Sequence, residues 1–316
     1  MLKNFKIGHY SDIDNGTGVT VLLAETGAVG GVCVRGAAPA TRETDLLSDG
    51  KTVKIVNAVV LSGGSAFGLE ASCGVMDWLK EHNIGFNAGK YRVPIVVGAS
   101  LYDLEYKNFA YPDKIAGYKA CQTAKTDNFI TGSIGAGTGA TISKIFGQKT
   151  AVKAGIGVAT YSLNGLEIAV IVAVNALGDI IQGGKIIAGA MSERDEYIDC
   201  RAIMSAGSLP LNTQNTTIGC IITNANLTKE QANVLASVAH DGFALSLSPS
   251  HTMFDGDAMF VMASGEKQIE FNLAVSIIPE LTARAIVSSV ENQTNSTAVR
   301  VNKTAYALFK KAFRRK

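Results

Sequence analysis

The sequence predicts a layered α/β fold with sheets flanked by helices, on three observations. Apolar runs of strand length recur along the chain, apolar stripes at helical spacing lie between some of them, and their order lacks the regular alternation of a doubly wound sheet. The strand-like runs cover 18–23, 29–34, 93–97, 155–161, 166–174 and 218–222. A helix is expected over 66–81, where Phe67, Glu70, Ala71, Gly74, Val75, Trp78 and Leu79 set an apolar face against a polar one and Asn83 or Gly85 ends it. Thr228 reads as the N-cap of a second helix with a stripe through Val234, Leu235, Val238 and Ala239. A third helix fits 279–291, with Pro279 in the first turn, where its missing N–H costs nothing. The segment 183–214, with the polar run 192–196, reads as an exposed excursion.

Length and composition bound the function classes. The chain has 316 residues, 47% apolar and 18% charged, with a formal charge of +2, an ordinary globular balance. The main basic cluster, 310–316, reads as a solvated tail, so neither nucleic acid nor membrane is expected as a partner. No apolar run free of charges and glycines reaches the roughly 18 residues that span a bilayer, and the first residues lack the apolar core of a leader, so a cytoplasmic location is expected. Cys33, Cys73, Cys121, Cys200 and Cys220 follow no metal spacing and read as reduced, mostly buried thiols; His9, His82, His240 and His251 include no metal-ligand pair. No cofactor or metal is expected. Thirty-three glycines against six prolines point to close backbone approaches rather than long linkers, and one domain over 1–316 is expected.

Four places carry chemistry, each with a plain alternative. Asn215-Thr216-Thr217 stands at the mouth of the strand at 218–222; it is either a loop entering a strand or a nucleophile held rigid by the strand behind it. The glycine-rich stretch 132–140 lacks both the preceding strand of a dinucleotide loop and the ending of a Walker loop. It reads as a close-packed turn leading into a helix and delivers Lys144, a solvated face residue or a functional cation. Asn175 ends the apolar run at 166–174, and a buried amide must be hydrogen-bonded, either as a structural cap or as an oxyanion donor. Asp255 and Asp257, one residue apart, point the same way on extended backbone, as solvated turn residues or as an orienting acid pair. A calcium loop is disfavoured because 258–262 reads as a core strand. Together, Thr216, Lys144, Asn175 and the two aspartates supply the parts of an activated hydroxyl nucleophile.

Five stretches in order, 35–45, 61–69, 135–140, 215–217 and 251–257, resemble the DmpA family of L-aminopeptidase/D-esterases, β-peptidyl aminopeptidases and nylon-oligomer (6-aminohexanoate-oligomer) hydrolases. The resemblance implies a four-layer αββα sandwich similar to N-terminal-nucleophile hydrolases and a precursor cut between Asn215 and Thr216 into associated fragments 1–215 and 216–316. It implies Thr216 as nucleophile with its freed α-amine as base, Lys144 and Asn175 beside it, Asp255 and Asp257 as orienting acids, and Tyr102 lining the oxyanion site. Small peptide or amide substrates and a homo-oligomer, a tetramer, are implied as partners. Aminopeptidase members would carry a carboxylate just before the tyrosine to hold the substrate ammonium; Ala99 and Ser100 stand there instead, which speaks against action on free N-termini. Two rivals remain open on the sequence: acyl transfer of the ornithine-acetyltransferase type, and a non-catalytic oligomeric binding protein.

Overall fold

The computed structural model describes residues 2–207 and 214–291; the basic cluster 310–316 lies outside them, as do 208–213 of the expected excursion. In chain order the elements are β1 (Lys6–Asp12), β2 (Thr17–Val34), β3 (Ala40–Arg42), β4 (Ile55–Ser62), α1 (Ala71–Glu81), β5 (Phe86–Ala88), β6 (Tyr91–Val93), β7 (Val96–Ser100), α2 (Lys114–Gln122), β8 (Thr141–Ile142) and β9 (Val152–Lys153). There follow β10 (Ile156–Leu163), β11 (Leu166–Ala173), β12 (Asp179–Gln182), β13 (Lys185–Ala188), α3 (Cys200–Ser205), β14 (Ile218–Ala225), α4 (Lys229–Ser246), β15 (Leu247–Ser248), β16 (Ala258–Lys267) and α5 (Phe271–Glu291).

The main sheet runs β10-β11-β14-β16-β2-β4-β7-β3, with β1 paired to β2. The two apolar runs at 18–23 and 29–34 belong to one long strand, β2, whose pairing with β4 shifts register between Leu23 and Ala28. Its first half pairs with β1 and β4 and its second half with β16, so β2 joins the two halves of the sheet. Side chains then alternate between three cores, as strand geometry requires. Val19, Val21, Leu23, Ala58 and Val60 face α1 and α2. Leu22, Val59 and Leu61 meet Ile171, Cys220, Ile222, Phe260 and Met262 between the halves. Val170, Val172, Ile221, Met259 and Val261 face α4 and α5. The layers are therefore helix, sheet, sheet, helix, which explains why these strands read as nearly unbroken apolar runs: both faces of each are buried.

Several expectations shift. The helix over 66–81 begins as a 3₁₀ segment, Ser65–Glu70, entered from Gly64 at φ 84°, and becomes α-helical only at Ala71. The strand expected at 93–97 lies at Val96–Ser100, because Pro94 cannot donate to a ladder. Gly135–Gly137 is a single 3₁₀ turn and leads into β8, not a helix. The last helix starts at Phe271, so Pro279 falls well inside it and the Val275 carbonyl loses its helical partner. The cap at Thr228 holds: its side chain accepts from Gln231 N and Gln231 returns the bond. Although α5 is long and apolar enough to cross a membrane, its buried residues pack against β10, β11 and α4.

Candidate active site

The parallel pair β14 and β16 starts level, with Ile218 opposite Ala258, so the residues just before each strand lie side by side. Asn215 bridges Asp255 there. The Asn215 N–H donates to the Phe254 carbonyl at 2.9 Å, and the Gly256 N–H donates to the Asn215 carbonyl at 3.0 Å. The Thr216 N–H donates to the Asn175 carbonyl at 2.9 Å, and the Thr216 hydroxyl is hydrogen-bonded to the Asn215 carbonyl oxygen. The peptide bond between the two residues is thus gripped on both sides, with the hydroxyl lying against the carbonyl in front of it. A Cβ on Gly256 would come within 2.6 Å of the Ala38 carbonyl oxygen and 2.8 Å of Thr216 Oγ1, so glycine is the residue that lets the segment before β16 approach the hydroxyl.

Lys144 is delivered to the same place by backbone bonds from Ser143 to Gly178 O and from Lys144 to Leu177 O, both 3.0 Å, which pin the segment after β8 onto the turn that follows β11. It is 2% exposed, which overturns the solvated reading. Its Nζ donates to Asn175 Oδ1 at 2.7 Å. Burial lowers its pKa to about 7 against the opposing pull of Asp255, Asp103 and Glu105. Asn175 is fully buried and satisfied: Oδ1 also accepts from Thr141 N at 3.0 Å, and Nδ2 donates to the Tyr102 carbonyl at 2.8 Å. Tyr102 therefore contacts this cluster through its backbone, while its phenol turns to Glu105 at 3.2 Å.

Asp255 and Asp257 are each 2% exposed, so neither is a solvated turn residue. Asp255 Oδ2 accepts from the Thr252 hydroxyl at 2.5 Å and from Thr252 N at 2.9 Å. Burial first, then the neighbouring Asp257, raise its pKa to about 6. Asp257 Oδ1 accepts the Thr217 N–H at 2.7 Å and Oδ2 meets His251 Nδ1 at 2.7 Å. The two carboxylates flank the residues on either side of Thr216, one through the Asn215 bridge and one through Thr217.

Sequence reasoning passed over Gly256, Thr252, His251 and Asp103. Asp103 is buried, accepts from Thr17 Oγ1 at 2.8 Å and Gly64 N at 2.7 Å, and burial raises its pKa to about 6. A Cβ on Gly63 or Gly139 would lie 2.1 or 2.5 Å from its carboxylate, so the glycine stretches at 61–69 and 135–140 close around this acid. The only hint in the sequence was its place next to Tyr102. Ala99 is core and the Ser100 hydroxyl pairs with Ser62 Oγ at 2.6 Å.

A hydroxyl against a carbonyl, a buried lysine titrating near neutrality and a buried acid pair suit acyl transfer at an amide. The family model "Peptidase family S58" matches residues 2–309. The chain belongs to that family. An aminopeptidase described as uncharacterized from Mycobacterium leprae (strain TN) is 36% identical over 304 residues, covering 88% of this chain and 82% of that protein. A 6-aminohexanoate-oligomer endohydrolase of Kocuria sp. (strain KY2) is 32% identical over 267 residues, covering 82% and 72%. Among solved structures, the L-aminopeptidase D-Ala-esterase/amidase of Ochrobactrum anthropi, described as a variant of the Ntn hydrolase fold, superposes with a TM-score of 0.69 at 17% identity, covering 91% of this chain and 84% of that one. A Burkholderia sp. β-aminopeptidase gives 0.68 at 17%, covering 98% and 91%. This S58 chain accordingly shares the four-layer Ntn-type architecture that its alternating cores display, and the resemblance to aminopeptidases and nylon-oligomer hydrolases holds.

Proposed function

We propose that this S58 member is a self-processing amidohydrolase acting on small peptide or linear amide bonds through an acyl-enzyme on Thr216. The observation that carries the reading is the Thr216 hydroxyl bonded to the Asn215 carbonyl, whose oxygen also accepts the Gly256 N–H. In maturation Oγ1 attacks the Asn215 carbonyl carbon and gives up its proton. The Gly256 N–H meets the negative charge that develops on the oxygen. On collapse the C–N bond breaks, the Thr216 nitrogen takes a proton, and Asn215 is left as an ester on Oγ1. Water then cleaves the ester, leaving a carboxylate on Asn215 and a free hydroxyl and α-amine on Thr216. Lys144 and Asp255, with pKa values moved to about 7 and about 6, are able to exchange protons during these steps.

An α-amine has a reference pKa of about 8, so part of it is unprotonated at neutral pH and accepts the hydroxyl proton in turnover. The substrate acyl group then takes the place that Asn215 occupies in the uncut chain. The cut makes the base, and the departing residue vacates the acyl site. A homo-oligomeric assembly belongs to the same proposal, and light scattering on the matured protein measures it.

Denaturing mass spectrometry tests the reading. Two fragments, ending at Asn215 and starting at Thr216, are expected from the wild type, and an uncut, folded, inactive chain from Thr216→Ala. A wild type that stays whole on incubation, or an active Thr216→Ala, overturns it.

A further inference from the structure

His251 meets a carboxylate that grips the backbone next to Thr216. Its Nδ1 lies 2.7 Å from Asp257 Oδ2, and its N–H reaches the same oxygen at 3.3 Å. The other oxygen of that carboxylate accepts the Thr217 N–H at 2.7 Å. A contact between a ring nitrogen and a carboxylate oxygen needs a donor on the ring side, which assigns the proton of this contact to Nδ1. The imidazole is wedged between rings of α4: its centroid is 4.8 Å from His240 and 5.4 Å from Phe243, nearly parallel to the latter. His240 is anchored through Nε2 on the Cys33 carbonyl at 3.0 Å, and burial lowers its pKa to about 4, so it is a neutral neighbour. His251 Nε2 is buried and has no partner among the described residues. The backbone of His251 is left-handed, at φ 55°, and its ring reaches the acid six residues later.

We propose that His251 is a positioning residue for the nucleophile, acting through Asp257: its Nδ1–H fixes the carboxylate that holds the Thr217 amide and thereby the rotation of the chain at Thr216. This rests on Thr216 being the nucleophile. The other charged groups about the relay are Asp255 and Lys144 on the Thr216 side and Arg35, whose N–H donates to the Asp257 carbonyl at 3.0 Å. None of them replaces the Nδ1–H donor to Oδ2. A plain loop staple would require the same ring packing but no coupling to turnover.

A double-mutant cycle separates the two. His251→Phe keeps an aromatic ring and removes the donor; His251→Asn supplies an amide N–H near the place of Nδ1 and tolerates the left-handed backbone. The Phe variant is expected to lose about tenfold to a hundredfold in kcat and maturation rate with KM nearly unchanged, as for a lost bond to a charged group, and the Asn variant is expected to regain much of that. In an Asp257→Asn background, His251→Phe is expected to add little, since both changes break one relay. Additive losses in the cycle, or an Asn variant no better than Phe, overturn the proposal. Should the Phe variant fail to fold, imidazole ¹⁵N shifts of the uncut Thr216→Ala chain decide it: a proton on Nδ1 is expected, and a ring carrying its proton on Nε2 alone overturns it. Failure of the nucleophile reading is read separately, from a wild type that is never cut, or from a Thr216→Ala chain that is still active.

Discussion

The Nζ of Lys144 lies 2.7 Å from the side-chain oxygen of Asn175, whose backbone oxygen in turn accepts the Thr216 N–H at 2.9 Å. A buried amine, a buried amide and the backbone nitrogen at the proposed cut thus form one chain of contacts. Lys144→Met should slow maturation and turnover together, by about 10² to 10⁴ for a lost acid or base. Fragment appearance and amide hydrolysis measure the two rates, and normal values for both would remove Lys144 from the site.

The same lysine makes a stability prediction. Its folded pKa of about 7 lies below the ordinary lysine value of 10.5, so the unfolded chain binds more protons across that window. The resulting destabilisation is fully present below about pH 7 and is relieved as pH rises toward 10.5. Wild type should therefore gain stability relative to Lys144→Met between pH 7 and 10, and denaturant melts at several pH values check the sign.

Asp255 works in the opposite direction. Its folded pKa, about 6, lies above the ordinary aspartate value of 3.8, so the folded chain holds the proton across that interval and stability from this group falls as pH rises through it. Maturation should slow as pH falls through about 6, where the carboxylate takes a proton. In Asp255→Asn maturation should be slow at every pH, without that inflection, while thermal stability above pH 6 should match or exceed wild type. Timed fragment formation across pH measures it.

At Gly256 a single methyl group would enter the 2.8 Å approach to Thr216 Oγ1 and the 2.6 Å approach to Ala38 O. Gly256→Ala should displace the donor of the Asn215 oxygen and slow maturation by about 10² to 10³, the range for one oxyanion donor. Thr228→Ala serves as the contrast. It removes the capping box of α4 and should cost about 1 kcal/mol of stability while maturation remains unchanged.

Much of this architecture was legible because both faces of the central strands are buried, which leaves unbroken apolar runs at 18–23, 166–174 and 218–222. The bend that makes one strand of 18–34 was not, since it depends on register against β4 and not on composition. Nor was the position of Pro279, where α4 and the sheet hold a helix that local preference would end. At the site, Thr216, Asn175, Asp255 and Asp257 stood out by residue type at the ends of strand-like runs, and Lys144 as a cation delivered by the glycine-rich stretch. Asp103 did not, because what marks it is burial against Thr17 and Gly64, both distant in sequence, and His251 did not, because what marks it is its contact with Asp257 and with the rings of α4, which no residue pattern announces. The roles suggested by resemblance acquire geometry in uneven measure, with Tyr102 meeting the cluster through its carbonyl and its phenol directed to Glu105.

The most direct measurement follows amide hydrolysis and the fraction of chain cut between Asn215 and Thr216 in one sample over time. The account predicts that activity grows in proportion to the cut fraction and extrapolates to zero in the whole chain, since the α-amine base does not exist before the cut. An uncut chain that already turns over an amide at the matured rate would contradict it.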